Sequence, residues 1–398
     1  MTTLPRMSRW RTVLAAGVLL GTLAACSSDS KGTAATVPSD SSAPVTVAPA
    51  GSSAPETSPE TTAAAAPETT AAPAPVWETI TAPSDCLCSD GSGFTYFVHR
   101  GDPQKVMFFL EGGGACFNAD TCAPASDAYK KTVGHEDGLE ADATAGIFDL
   151  ANPLNPFADY SIVYVPYCTG DVHIGNNTKD YGNGVVVHHN GYVNGTTALA
   201  KMAELFPDTT KLVVTGESAG SVPTPLYAGL AHDLLPDAAI TVLADGSGAY
   251  PDIPGINALI GDAWGTMNAV PKWPENAGVT PETWSLPGLF VHAGEHDPAI
   301  VFARHDYAFD RTQTFFAGLA GIPADNLVSL IDQNETQIEA GGITLYSFIS
   351  PGDRHTVLGK PGFYTEKVNG VLLLDWVTDL VTGAPISDVH CTECTVAA

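Results

Sequence analysis

Basic residues are scarce in this chain: 17 Lys and Arg stand against 44 Asp and Glu among 398 residues, a formal charge of −27. A surface this acidic repels phosphate, which excludes a nucleic-acid partner held by phosphate neutralisation. Charged residues are few altogether, 15% against 44% hydrophobic, so the chain is globular on average and long enough to bury a large core. The N-terminal apolar run, Val13–Leu20, is too short to cross a bilayer. The run of glycines at Gly112–Gly114 lacks both the G-x-x-x-x-G-K-[ST] and the G-x-G-x-x-G spacing and has no Lys or Arg immediately beside it to hold phosphate. No H-E-x-x-H pattern is present.

Residues 1–26 have the layout of an export signal. Arg6, Arg9 and Arg11 precede the apolar run, and Leu23-Ala24-Ala25-Cys26 has the form of a bacterial lipobox. The expectation is lipidation of Cys26 and a membrane-anchored cell-surface protein, with ordinary secretory cleavage as the alternative. Residues 27–76 consist almost entirely of Ala, Ser, Thr, Pro, Gly and Glu, with Pro59-Glu60-Thr61-Thr62 nearly repeated at Pro67-Glu68-Thr69-Thr70. Such a segment cannot bury enough apolar surface to offset ordering entropy and reads as a tether with a reach on the order of 40 Å. The remaining 77–398 reads as one α/β catalytic domain.

In that domain, short apolar runs at Val106–Leu110, Ser161–Tyr167, Lys211–Thr215, Ile240–Ala244, Leu289–Ala293 and Ile343–Ile349 predict buried strands. Helical spacing is clearest at Val193–Phe206, with further stretches around Ala303–Ala320 and Lys367–Leu380. Alternating strands and helices imply a mostly parallel central sheet with helices on both faces. An exported protein meets an oxidising compartment, so disulfides are expected. Cys116 and Cys122 would close a short loop. Cys86 and Cys88 would staple to Cys391 and Cys394, leaving Cys168 unpaired; a four-Cys zinc site from the same four residues is the competing reading.

Gly216-Glu217-Ser218-Ala219-Gly220 follows an apolar strand and has the form of a nucleophile elbow, in which glycines allow a turn that lifts the Ser218 hydroxyl above the sheet edge. Upstream, strand Val106–Leu110 runs into Glu111-Gly112-Gly113-Gly114-Ala115, whose backbone amides can face a developing oxyanion; Gly113, Gly114 and Ala219 are the candidate donors. The order serine, acid, histidine places the partners at later strand ends. Asp297 is assigned as the acid and His355 as the general base, with Asp245 and Glu295 as alternative acids. His390, beside Cys391, reads as a surface histidine. A metal held by Asp171, His173, His188 and His189 is disfavoured, because adjacent His188 and His189 point apart, and pocket lining or satisfied hydrogen bonding is expected instead.

Taken together, Leu110-Glu111-Gly112-Gly113-Gly114-Ala115-Cys116-Phe117, Tyr167-Cys168-Thr169-Gly170-Asp171-Val172-His173, Gly216-Glu217-Ser218-Ala219-Gly220 and Asp245-Gly246-Ser247-Gly248 resemble the pectin acetylesterase/Notum family of serine carboxylesterases. The resemblance implies an α/β-hydrolase fold, a Ser218–Asp297–His355 triad and no cofactor. The expected activity is hydrolysis of short, acetyl-like O-acyl esters, on carbohydrate or on a small ester, by a monomer. A polyester or lipid ester hydrolase and a non-catalytic surface binding module on the same fold are the competing readings.

Overall fold

The computed structural model describes residues 76–133, 144–392 and 394. The expected export signal, Cys26 and the tether up to residue 75 lie outside these residues.

In chain order the strands are β1 (Trp77–Thr81), β2 (Thr95–His99), β3 (Asp102–Leu110), β4 (Tyr160–Val165), β5 (Asn177–Asp180), β6 (Val186–His189), β7 (Lys211–Glu217), β8 (Ala239–Asp245), β9 (Val301–Tyr307), β10 (Leu345–Ser350), β11 (Lys367–Val368), β12 (Val371–Leu372) and β13 (Val389–His390). Nine of them form one sheet in the order β1-β2-β4-β3-β7-β8-β9-β10-β13. From β4 to β13 every neighbouring pair is parallel, and β1 and β2 add an antiparallel edge. The helices are α1 (Gly191–Leu205), α2 (Thr224–Leu234), α3 (Pro254–Trp264), α4 (Leu286–His296), α5 (Arg311–Leu319), α6 (Leu327–Ala340) and α7 (Leu373–Thr382).

The central strands are apolar without alternation because both sheet faces are covered. Val106, Phe108 and Leu110 of β3 join Val214 and Val242 in a core closed by Leu199 of α1, Tyr227 of α2, Phe290 of α4 and Ile338 of α6. Met107 and Phe109 point the other way, toward Val213, Leu243 and the Trp376 and Val377 side chains of α7. This is the expected α/β-hydrolase architecture.

Two expected elements differ. Leu289–Ala293 is not a strand but the middle of α4. Ser285 caps that helix by accepting from Gly288 N at 3.0 Å, a proline occupies its first turn, and Leu289, Phe290 and Ala293 are buried on one side. A short apolar run fits either period, and here capping decides. The strand at this place in the sheet is β9, which overlaps the start of the stretch expected to be helical over Ala303–Ala320, with α5 following it. Its pattern is hidden by Arg304, His305 and Asp306, all at most 1% exposed. The helix expected over Lys367–Leu380 begins only at Leu373, because Asn369 and Gly370, with φ of 50° and 91°, turn a small hairpin between β11 and β12.

The cysteines also pair differently. Cys116–Cys122 closes its loop as expected, but Cys88 pairs with Cys168, 80 residues away, and Cys391 pairs locally with Cys394. Among the described residues Cys86 is the free thiol, buried and directed at the Thr197 hydroxyl at 3.3 Å. The terminal staple fails because β2 brings the Cys88 segment beside the end of β4, where Ser89 N donates to the Cys168 carbonyl at 2.8 Å.

Candidate active site

Ser218 stands directly after β7 with φ 54°, a left-handed backbone that costs a non-glycine residue energy and persists because the surroundings over-determine it. The flanking glycines are sterically required. A Cβ on Gly216 would lie 2.4 Å from the Gly220 carbonyl oxygen, and one on Gly220 would lie 2.0 Å from the Leu110 oxygen. The elbow therefore packs directly on the end of β3, where the glycine loop begins. Ala219, second in the short turn Ser218–Gly220, keeps an amide without an intrahelical acceptor.

The glycine loop is held from several sides. The Gly113 carbonyl accepts from Lys130 N, and Ala115 N donates to Ala128 O, bonds that leave the amides of Gly113 and Gly114 out. Gly114, at φ 76°, has its Cβ position 2.1 Å from the Ala128 oxygen, so only glycine fits. Beneath the loop, the buried Glu111 carboxylate accepts from Lys130 Nζ at 3.0 Å and from Tyr167 N at 2.7 Å. Burial raises the Glu111 pKa, and Lys130 works against the rise. His173 donates from Nε2 to the Glu111 carbonyl at 2.9 Å; burial lowers its pKa to about 4, so it stays neutral and serves as a fixed strut.

His173 and Val172 both have positive φ, 57° and 47°. Their strained turn is tied by Tyr167 Oη accepting from Val172 N at 2.9 Å and by Tyr227 Oη donating to His173 O at 2.9 Å. Asp171 accepts from Thr169 Oγ1, Gly191 N and His173 N. His189 bonds the Thr169 carbonyl and the Tyr181 hydroxyl, and His188 bonds the Thr178 hydroxyl. All four residues of the disfavoured metal set are thus engaged by hydrogen bonds.

His355 lies on the loop after β10. Its Nδ1 is 2.7 Å from Asp310 Oδ2, while its Nε2 is buried and has no hydrogen-bond partner among the described residues. Gly246 shares a cavity with Ser218, and the His355 ring lies 3.3 Å from where a Gly246 Cβ would stand. Burial alone lowers the imidazole pKa; the hydrogen bond and charge of Asp310, with the charges of Asp245 and Glu217, more than offset it, and the net shift is upward.

The structure does not bring Asp297 to His355. Asp297 caps the C-terminus of α4, where its carboxylate faces His232 Nδ1 at 3.1 Å. Its assignment depended on a strand at Leu289–Ala293 that is a helix. Glu295 sits on the same helix, and His390 belongs to β13. Asp245 is at the end of β8 and fully buried, but it binds His305 Nδ1 at 2.8 Å and accepts from Val357 N and Leu358 N, which pins the His355 loop from beyond. Asp310 takes the place beside the imidazole. It is the N-cap of α5, accepting at Oδ1 from Thr312 N and Gln313 N, and Gln313 Nε2 reaches its Oδ2 at 3.1 Å. The sequence signal was available: Asp310-Arg311-Thr312-Gln313 has the Asp-x-x-Gln form of a helix start.

A cavity of about 90 Å³ opens beside Ser218, walled by Val222, Ile256, Ile260, Trp264 and Phe316. A polar nucleophile lining an apolar cavity together with Gly114, Ala219 and Gly246, with an acid-paired histidine against Gly246, suits transfer of an acyl group.

Residues 76–260 match the family model described as Pectinacetylesterase. Over those residues the chain is similar to the pectinacetylesterase family. The match includes the glycine loop and the elbow, whereas Asp310 and His355 lie beyond it. Among curated proteins the chain is similar to palmitoleoyl-protein carboxylesterase Notum of Schmidtea mediterranea, 28% identical over 139 residues, which is 34% of this chain and 26% of that protein. It is also similar to pectin acetylesterase 5 of Arabidopsis thaliana, 27% identical over 177 residues, 43% of this chain and 40% of that protein. The matched stretches thus span well under half of these relatives. The solved structure of the Wnt deacylase Notum from Drosophila aligns with a TM-score of 0.57 at 14% identity, covering 80% of this chain and 96% of that one, a likeness of fold.

Proposed function

We propose that this chain is an exported serine carboxylesterase of the pectinacetylesterase family that hydrolyses O-acyl esters through an acyl-enzyme. The observation that carries the reading is His355, held at Nδ1 by Asp310, its buried Nε2 without a partner among the described residues, and its ring against Gly246, which lines the same cavity as the strained Ser218 elbow. In the proposed reaction Ser218 Oγ attacks the ester carbonyl carbon and its proton passes to His355 Nε2. The carbonyl oxygen becomes an oxyanion facing the amides of Gly113, Gly114 and Ala219. When the C–O bond to the alcohol breaks, His355 returns the proton to the departing alcohol. A water then repeats the sequence on the acyl-Ser218 ester, releasing the carboxylic acid and restoring both side chains.

The name of the Arabidopsis relative supports a saccharide alcohol and an acetyl group, and that of the planarian relative supports a long acyl chain. The apolar cavity favours an acyl group longer than acetyl, since a water needs only roughly 10–15 Å³ on the same measure. Each buried methylene contributes roughly 0.8 kcal/mol, so kcat/KM on p-nitrophenyl esters is expected to rise roughly four-fold per methylene from acetate to butyrate. A flat or falling series would place the acyl chain outside the cavity.

Lipidation at Cys26 is part of the same proposal, supported by the lipobox form of Leu23–Cys26. Intact-mass analysis of the mature protein is expected to give a chain beginning at diacylglyceryl-modified Cys26, and Cys26→Ser should release the protein from the membrane fraction. An unmodified N-terminus elsewhere contradicts the anchor.

A further inference from the structure

Glu217 immediately precedes the nucleophile and ends β7, in register with Asp245 at the end of β8. Its carboxylate Oε2 accepts from the Thr356 hydroxyl at 3.2 Å, joining the elbow to the histidine loop across 139 residues of chain. Thr356 is the residue after His355, 6% exposed, and held at φ 60°, a conformation that a β-branched side chain rarely adopts. Backbone strain of this kind needs an external tie. Two ties are present: Asp245 grips the amides of Val357 and Leu358, and Glu217 grips the Thr356 side chain.

We propose that Glu217 is a positioning residue for His355, whose hydrogen bond to Thr356 seats the histidine loop against the elbow. This rests on the esterase reading above. Three acidic groups favour the protonated ring, Asp310 at the start of α5 most, then Asp245 at the end of β8 and Glu217 at the end of β7. The neighbouring charges on the loop are otherwise engaged, Arg354 with Glu366 and Asp353 with Arg311. Of the three acids, Asp310 binds the ring directly and Asp245 is fully buried, whereas Glu217 is only half-buried.

The hydrogen bond and the charge of Glu217 separate by substitution. Glu217→Gln keeps an acceptor for Thr356 and removes the charge. Thr356→Val keeps shape and charge and removes the hydrogen bond. In Glu217→Gln the imidazole titration followed by NMR, and the acid limb of kcat/KM on p-nitrophenyl butyrate, should both move to lower pH by about 0.5 unit, since removing a negative neighbour weakens the cation. The plateau rate should change less than about three-fold. Thr356→Val should lower the plateau and leave the limb in place. An unmoved titration in a folded Glu217→Gln variant overturns the charge role, and an unchanged plateau in Thr356→Val overturns the seating role. Absence of esterase activity in the wild-type protein would instead reject the esterase reading, and the NMR titration still reports on Glu217 in that case.

Discussion

Asp310→Asn is expected to lower kcat about 10⁴-fold, the scale found when the acid of a serine triad is made neutral, while Asp297→Asn leaves kcat within about two-fold. The contrast follows from where the carboxylates stand. Asp310 is fully buried and 2.7 Å from His355 Nδ1, and Asp297 faces His232 at the end of α4. Asparagine is also a good N-cap, so α5 should survive the change and the loss should be chemical rather than structural. The pH profile supplies the sign. In the wild type burial lowers the imidazole pKa and the acidic neighbours more than restore it, so the net shift is upward. The base must be neutral to accept the Ser218 proton, which puts the acid limb of kcat/KM above the ordinary histidine value. Removing the Asp310 charge leaves burial less opposed, and the residual limb should move to lower pH. Measuring kcat and the limb together in both variants checks the assignment; a large loss in Asp297→Asn with Asp310→Asn unaffected would reverse it.

Ser218→Ala is expected to cost about 10⁶ in kcat, the scale of nucleophile removal, with KM for a p-nitrophenyl ester little changed. Ser218 Oγ is the atom that forms the acyl bond in the proposed reaction, whereas the cavity walls that hold the acyl chain are untouched. The fold should tolerate the change. Alanine has the same Cβ as serine at φ 54°, and the close approach of Gly216 and Gly220 to the elbow does not involve the hydroxyl. The oxyanion amides remain, so a small residual rate above that of water is expected. Retention of full kcat would exclude Ser218 as the nucleophile.

How legible this site was in the sequence depended on whether its residues follow apolar runs. The elbow and the glycine loop each come directly after a strand whose side chains are buried on both faces, so β7 and β3 announce themselves and fix Ser218 and Gly112–Gly114 at one sheet edge. His355 follows β10 in the same way. Asp310 follows β9, whose central residues are Arg304, His305 and Asp306. These are buried because they are paired, Arg304 with Asp306 and Glu335 and His305 with Asp245, and such pairing leaves no trace in a hydropathy pattern. The apolar run that does look like a strand there, Leu289–Ala293, belongs to α4. Sheet register explains the disulfides: β2 and β4 are neighbours although β3 lies between them in sequence, so Cys88 meets Cys168 rather than the distant C-terminal pair.

Reaction with a fluorophosphonate tests the central claim most directly, because this probe forms a covalent adduct only with a serine activated by a neighbouring base. Incubation of the wild-type protein followed by peptide mapping is predicted to give one adduct per chain, on Ser218, and none in Ser218→Ala. An unlabelled wild-type protein, or an adduct that persists in Ser218→Ala, would contradict the account.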